Sequence, residues 1–297
     1  MTSRRRSQYL ISLLFLLPAL TLLFVFIVYP LIETAVLSTQ SWKGIYGTHR
    51  VFVGIANYSR VLRSDTFWNA MLNSFYFMLG AFVVLMPLAF ALALFVTSSL
   101  KFTNTMKTIY YLPVILGATT VALMWRSILN PNSGVLAGML MAAGQEKLII
   151  DWLNTPPLNV WITVLINEWK YAGYNMLIFA AGLSSIPQSV VEAARIDGCT
   201  SWQTTRYVKL PLLKNSFKVF SILAITGCLK VFDIIWAMTA GGPNDASATP
   251  GILVYKFAYE YKRFGRSAAI AVMLLVLGVA LSVILNKLMR QDDDIYA

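Results

Sequence analysis

Charge is the first thing this sequence lacks. Asp, Glu, Lys and Arg make up 12% of its 297 residues, where an ordinary soluble domain carries roughly 25%. A chain so poor in charged side chains cannot cover a globular surface with them, which excludes a soluble enzyme. Histidine is down to one, His49, and cysteine to two, Cys199 and Cys228. No CxxC, no HExxH and no disulfide framework is present, so metal and redox chemistry have little to build on. The two cysteines read as small buried side chains. G-x-x-x-x-G-K-[ST] is missing too, so the chain has no loop to cradle nucleotide phosphates and no cofactor is expected. Acidic residues number 13 against 24 basic ones, a net charge of +11. These basic residues are scattered between apolar runs and line no single face, which argues against nucleic acid. A positive excess of this kind marks segments held on the cytoplasmic side of a membrane.

What the chain has in abundance is apolar length. Hydrophobic residues make up 58% and the mean hydropathy is +0.66, so lipid must replace water around most of the exterior. Leu10 to Tyr29 is 20 residues without a charge, enough at about 1.5 Å per residue to cross a hydrocarbon core of about 30 Å. Its Arg-rich start resembles a signal peptide, but no A-x-A site follows, and a retained first helix is expected. Thr66 to Leu100, Thr108 to Trp125 and Ser267 to Asn286 are three further spans. Leu158 to Leu183 is apolar except for Glu168 and Lys170, and Phe217 to Thr239 except for Lys218, Lys230 and Asp233. Each is bounded by Pro, Gly or Asn, which makes six. A cytoplasmic N-terminus puts twelve basic residues inside, including Arg4, Arg5, Arg6, Lys101 and Lys107, and nine outside. The expected class is therefore an all-α, multi-pass protein of the cell membrane, with both termini cytoplasmic.

The most informative stretch runs from Ile186 to Pro211, IPQSVVEAARIDGCTSWQTTRYVKLP. Ser184 or Ser185 can cap a short helix with Pro187 in its first turn. Gly198 supplies a left-handed stop. A second short helix is expected over Ser201–Val208, ending before Leu210 and Pro211. The unit loosely resembles a DNA-binding helix–turn–helix, but two spans tether it and its second helix carries too few basic residues to read a groove.

Its spacing points elsewhere. Glu192-Ala193-Ala194, then Gly198, then Val208-x-Leu210-Pro211 closely resembles the EAA loop of binding-protein-dependent ABC importers. Asp197-Gly198 with Trp202-Gln203, Phe232-Asp233, Thr239 to Pro243, Tyr111 to Pro113 and Asn130 to Asn132 are similar to the sugar-importing branch. Thr205, where that family usually has an aromatic residue, and Cys199, usually alanine, depart from it. The resemblance covers roughly Asn57 to the C-terminus. It implies a type I permease fold: residues 1–68 as tail, first span and outer loop, 69–290 as the transmembrane domain with its coupling loop at 186–211, and 291–297 as a tail. It also implies that Glu192, Ala193, Ala194, Asp197, Gly198, Leu210 and Pro211 couple the chain to a cytoplasmic ABC ATPase dimer. A second homologous permease subunit and an extracytoplasmic sugar-binding protein complete the expected partners.

In maltose-type permeases the fourth and fifth helices line the sugar site. Lys170, Tyr171 and Tyr174 share one side of the fourth span, and Ala224, Gly227, Cys228 and Val231 form a stripe on the fifth. Aromatic faces suit the C–H surface of a sugar ring, and polar groups at span depth usually face a cavity. Lys230 and Asp233, spaced i, i+3, are expected to pair on the fifth helix. Glu168 with Lys170 also admits a proton relay, hence an ion-gradient-driven secondary transporter as the alternative. The aromatic run Tyr255, Phe257, Tyr259, Tyr261 and Phe264 suits a membrane interface.

Overall fold

The computed structural model describes residues 3–45, 47–98 and 101–289. The expected tail at 291–297 lies outside them. Among the described residues the chain is mostly helical, and its strands form one two-stranded antiparallel pair, Gln40–Ser41 with Val51–Phe52, in the first loop. Three helices among the described residues are long and apolar enough to cross a membrane: Leu13–Ser38, Asp65–Val96 and Phe264–Leu288. Three further pairs qualify if each bent pair is one span. They are Thr103–Ile115 with Ala118–Ile128, bent 93°; Leu158–Ser184 with Gln188–Ile196, bent 72°; and Ser201–Leu212 with Lys214–Leu229, bent 65°.

Two of the six expected spans are therefore not continuous helices. Thr108–Trp125 breaks at Leu116 and Gly117, both in extended conformation. Pro113 has already removed a hydrogen-bond donor from the turn before the break. Phe217–Thr239 breaks after Leu229 and resumes at Asp233. Thr249 Oγ1 takes over the Val231 carbonyl that the break frees, at 2.7 Å. Lys230 and Asp233 thus flank a break and form no ion pair, so their expected pairing on one helix is corrected.

Proline leaves a second mark. Four wide helical turns occur, at Phe24–Val28, Ala81–Leu85, Thr204–Lys209 and Lys256–Glu260. The first three each end two residues before a proline: Pro30, Pro87 and Pro211. A proline ring clashes with the carbonyl four residues back and cannot donate to it. A turn widened by one residue moves that carbonyl aside and lets the helix continue. This is why the helix from Ser201 runs through Leu210 and Pro211 to Leu212 and does not stop before them, as the sequence had suggested.

By internal contacts the chain forms two units, residues 1–64 with 254–274, and 65–253 with 275–297. In the first, Asn57 Nδ2 donates to the carbonyls of Ser38 and Gln40 at 2.8 Å each, Arg50 pairs with Glu33, and the Arg50 guanidinium lies 4.7 Å from the Trp42 ring centre. In the second, Leu158–Ser184 is the axial helix and packs against Asp65–Val96, Thr103–Ile115 and Lys214–Leu229. Phe179 is fully buried at the centre of a cluster with Phe90, Phe217 and Phe220, ring centres 4.9 to 5.9 Å from its own. Gly173 sits where the axial helix crosses Thr103–Ile115. A Cβ there would run into the Tyr110 carbonyl oxygen, so only glycine permits the approach.

Candidate substrate cavity and coupling unit

The axial helix and the two helix breaks enclose a cavity of about 500 Å³ within the second unit. All seven residues singled out for the substrate path line it: Lys170, Tyr171 and Tyr174 from the axial helix, and Ala224, Gly227, Cys228 and Val231 from Lys214–Leu229 and the break beyond it. The alternation of buried and exposed positions along Leu158–Ser184 does this. Lys170 is 4% exposed, while Tyr171 and Tyr174 are 37% and 41% exposed and face open space.

The broken helices bring polar groups into a lining that is otherwise largely apolar. A helix that stops short leaves carbonyls without an amide partner, and at membrane depth such backbone is tolerated only beside protein groups or a cavity. Lys170 Nζ donates to one of these, the Val114 carbonyl, at 3.4 Å. The same ammonium lies 4.6 Å from the centre of the Tyr171 ring, which holds the cation by its π face. Asn175 Nδ2 donates to the Tyr171 carbonyl at 2.9 Å. Phe232 and Trp236 stack nearly parallel, 5.8 Å apart, beside the second break.

Several lining residues were not assigned to this path from the sequence. Tyr111, Asn167, Glu168, Asn175, Phe232 and Asp233 all reach the cavity. Glu168 is the most telling. It is 1% exposed, its Oε1 accepts only a 3.4 Å contact from Asn167, and Oε2 has no hydrogen-bond partner. The signal was visible: a carboxylate in an apolar run is costly unless something meets it. Among the described residues no group of three or more His, Cys, Asp or Glu is placed to hold a metal.

The coupling candidates lie on the bent extension of the axial helix and on the segment that follows it. Gln188–Ile196 starts after Pro187, whose extended conformation provides no side-chain cap. The expected cap by Ser184 or Ser185 does not form, because Ser184 is still inside the axial helix and Ser185 closes it. At its other end, Gly198 takes φ +81°. Cys199 N–H donates to the Ala194 carbonyl at 3.0 Å and Gly198 N–H to that of Arg195 at 3.1 Å, a Schellman stop. Thr200 and Gln203 then exchange side-chain and backbone bonds as a capping box that starts the next helix. Glu192, Ala193, Asp197, Gly198, Leu210 and Pro211 are exposed, and Ala194 is buried. Glu192 Oε1 accepts only from Gln188 of its own helix, at 2.8 Å. Ile196 and Trp202 are 86% and 70% exposed, so this compact unit presents a large uncovered apolar surface.

A helical membrane protein with a cavity between interrupted helices, and an exposed elbow on the axial helix, is built as a transport subunit. Residues 2–291 match the family of binding-protein-dependent transport system inner membrane components, and the chain belongs to that family. It is 31% identical to the trehalose/maltose transport system permease protein of Thermococcus litoralis, over 95% of this chain and 94% of that one. It is likewise 31% identical to the multiple sugar-binding transport system permease protein of Streptococcus mutans, over 94% and 95%. Its fold matches a chain of the bacterial alginate ABC transporter solved in complex with an alginate pentasaccharide-bound periplasmic protein, with TM-score 0.83 and 22% identity over 96% of this chain and 95% of that one. The type I importer permease fold and the multi-pass membrane location expected from the sequence are both found, and no comparison favours a secondary transporter.

Proposed function

We propose that this chain is the permease subunit of an ATP-driven importer and forms half of the path for a sugar, most naturally an oligosaccharide. One observation carries the reading. The axial helix bears Lys170, Tyr171 and Tyr174 at the cavity, and 72° around its bend it bears the exposed helix with Glu192, Ala193 and Ala194. Movement imposed on the elbow is thereby delivered to the cavity wall. In the cavity, Tyr171 and Tyr174 supply ring faces for a sugar, while Lys170, Asn175 and Glu168 supply donors and acceptors for its hydroxyls. The names of the two relatives support a sugar cargo.

The elbow is read as the dock for a cytoplasmic ATPase dimer, with Glu192, Ala193, Ala194, Asp197, Gly198, Leu210 and Pro211 at its contact. A second, related permease subunit supplies the other half of the path, and an extracytoplasmic sugar-binding protein delivers the cargo. This places the elbow and both termini in the cytoplasm, in line with the excess of basic residues assigned there.

The test is purification of the solubilised chain from its own cells, identification of what accompanies it, and reconstitution of that complex in liposomes. A second permease, an ATPase and ATP-dependent uptake of a receptor-bound maltodextrin or trehalose are expected. Uptake that persists without ATP and collapses with an ionophore would overturn the reading.

A further inference from the structure

A second hollow lies away from the substrate cavity, where the last turns of Asp65–Val96 meet the helix Ser201–Leu212. It is an open groove of about 870 Å³ within the second unit. One wall is apolar: Pro87, Phe90, Ala91 and Leu94 recur at i, i+3, i+4 and i+7 on one helix face. That wall is rigid, because Phe90 is held by Phe179 and Phe217, ring centres 5.9 and 5.8 Å away. The opposite wall is mixed. Ser201, Thr205 and Arg206 line it, and Arg206 is exposed with no carboxylate at ion-pair distance among the described residues.

The surroundings are one-sided in charge. Along the chain from Gly198 to Phe217, which carries one wall of the groove, the sequence holds Arg206, Lys209 and Lys214 and no acidic residue. Exposed Trp202 and Tyr207 flank the groove, as amphipathic rings do at the headgroup level of a bilayer. An apolar trough that runs along a membrane-crossing helix has at its mouth hydroxyls and the Arg206 guanidinium, which lies 5.9 Å from the Tyr207 ring centre and pairs with no carboxylate among the described residues. This is the two-part chemistry of one ligand class. Acyl carbons suit the trough and a phosphodiester suits the mouth.

We propose that this groove is a binding site for one anionic phospholipid of the adjoining leaflet, with Arg206 on its phosphate and an acyl chain along Pro87, Ala91 and Leu94. The lipid fills the space between a span and the helix that follows the elbow, and so ties the elbow's far side to the bilayer. The site does not depend on which cargo crosses the cavity.

Native mass spectrometry of the purified complex tests it, with phosphatidylglycerol and phosphatidylcholine of identical acyl chains added in equal amounts. The unmodified chain is expected to retain one phosphatidylglycerol with about a fivefold preference, the equivalent of the roughly 1 kcal/mol that one basic residue contributes at an anionic surface. Arg206→Gln should bring the two lipids to parity. Ala91→Phe, which fills the trough, should abolish retention of both, and Thr205→Phe does the same from the other wall should the first variant fail to assemble. Equal retention of the two lipids by the unmodified chain, or unchanged retention in the filled variant that assembles, overturns the proposal. So does retention of the lipid only after the ATPase has been stripped from the complex, which would assign the groove to that protein.

Discussion

Two neighbouring residues on the axial helix carry opposite expectations. Gly173 faces the Tyr110 backbone, and Gly173→Ala must push two helices apart. Overpacking of that kind costs roughly 1–3 kcal/mol, so the variant should unfold at a lower temperature in detergent and accumulate poorly. Tyr174 is 41% exposed and lines the cavity. Tyr174→Ala should leave assembly and basal ATP hydrolysis unchanged. It should raise the sugar concentration for half-maximal uptake about 5- to 150-fold, from the roughly 1–3 kcal/mol that a truncated aromatic anchor loses. Normal uptake by Tyr174→Ala would move the path to another face. The sequence marked Tyr174, because a polar aromatic beside Lys170 in an apolar run is conspicuous. It did not mark the role of Gly173, whose only peculiarity is the backbone of Tyr110 and Tyr111, far earlier in the chain.

At the scale of an element, the elbow from Gln188 to Gln203 is held by local rules, and these were mostly readable. Gly198 at the stop and the Thr200-x-x-Gln203 box are consecutive signals that turn one helix into the next. Glu192 makes one bond, to Gln188 in its own helix. Such an exposed i, i+4 contact stabilises a helix by about 0.2–0.5 kcal/mol, so Glu192→Lys should neither unfold the chain nor change its membrane insertion. Loss of substrate-stimulated ATP hydrolysis in that variant would then report on the dock. Gly198→Val meets open space but a left-handed backbone, which costs a side chain roughly 1–2 kcal/mol. It should loosen the elbow and lower transport with the ATPase still bound. Wild-type transport by both variants would remove the coupling role from this segment. The breaks at Leu116–Gly117 and at Lys230–Phe232 were less readable. Pro113 punctuates the first, but Lys170 and Thr249, distant in sequence, are what meet the carbonyls left behind at the two breaks.

For the molecule as a whole, an even number of crossings returns the chain to the side on which it began. Tags placed before Met1 and after Ala297 should both be shielded from protease added outside intact cells, and both should be cut once the membrane is opened. A C-terminal tag cut from the outside would mean that one bent pair turns back within the membrane and does not cross it. What the sequence determined by itself was the medium and the local grammar. The shortage of charge requires lipid around the chain, and the spacing from Glu192 to Pro211 marks the elbow, since composition and short-range spacing are properties of the chain alone. Only the tertiary structure decided where the cavity lies and which residues share it. Helix breaks are stable when groups far away in sequence satisfy the backbone they expose, and Glu168, Tyr111 and Phe232 become neighbours of one space only after those helices have packed.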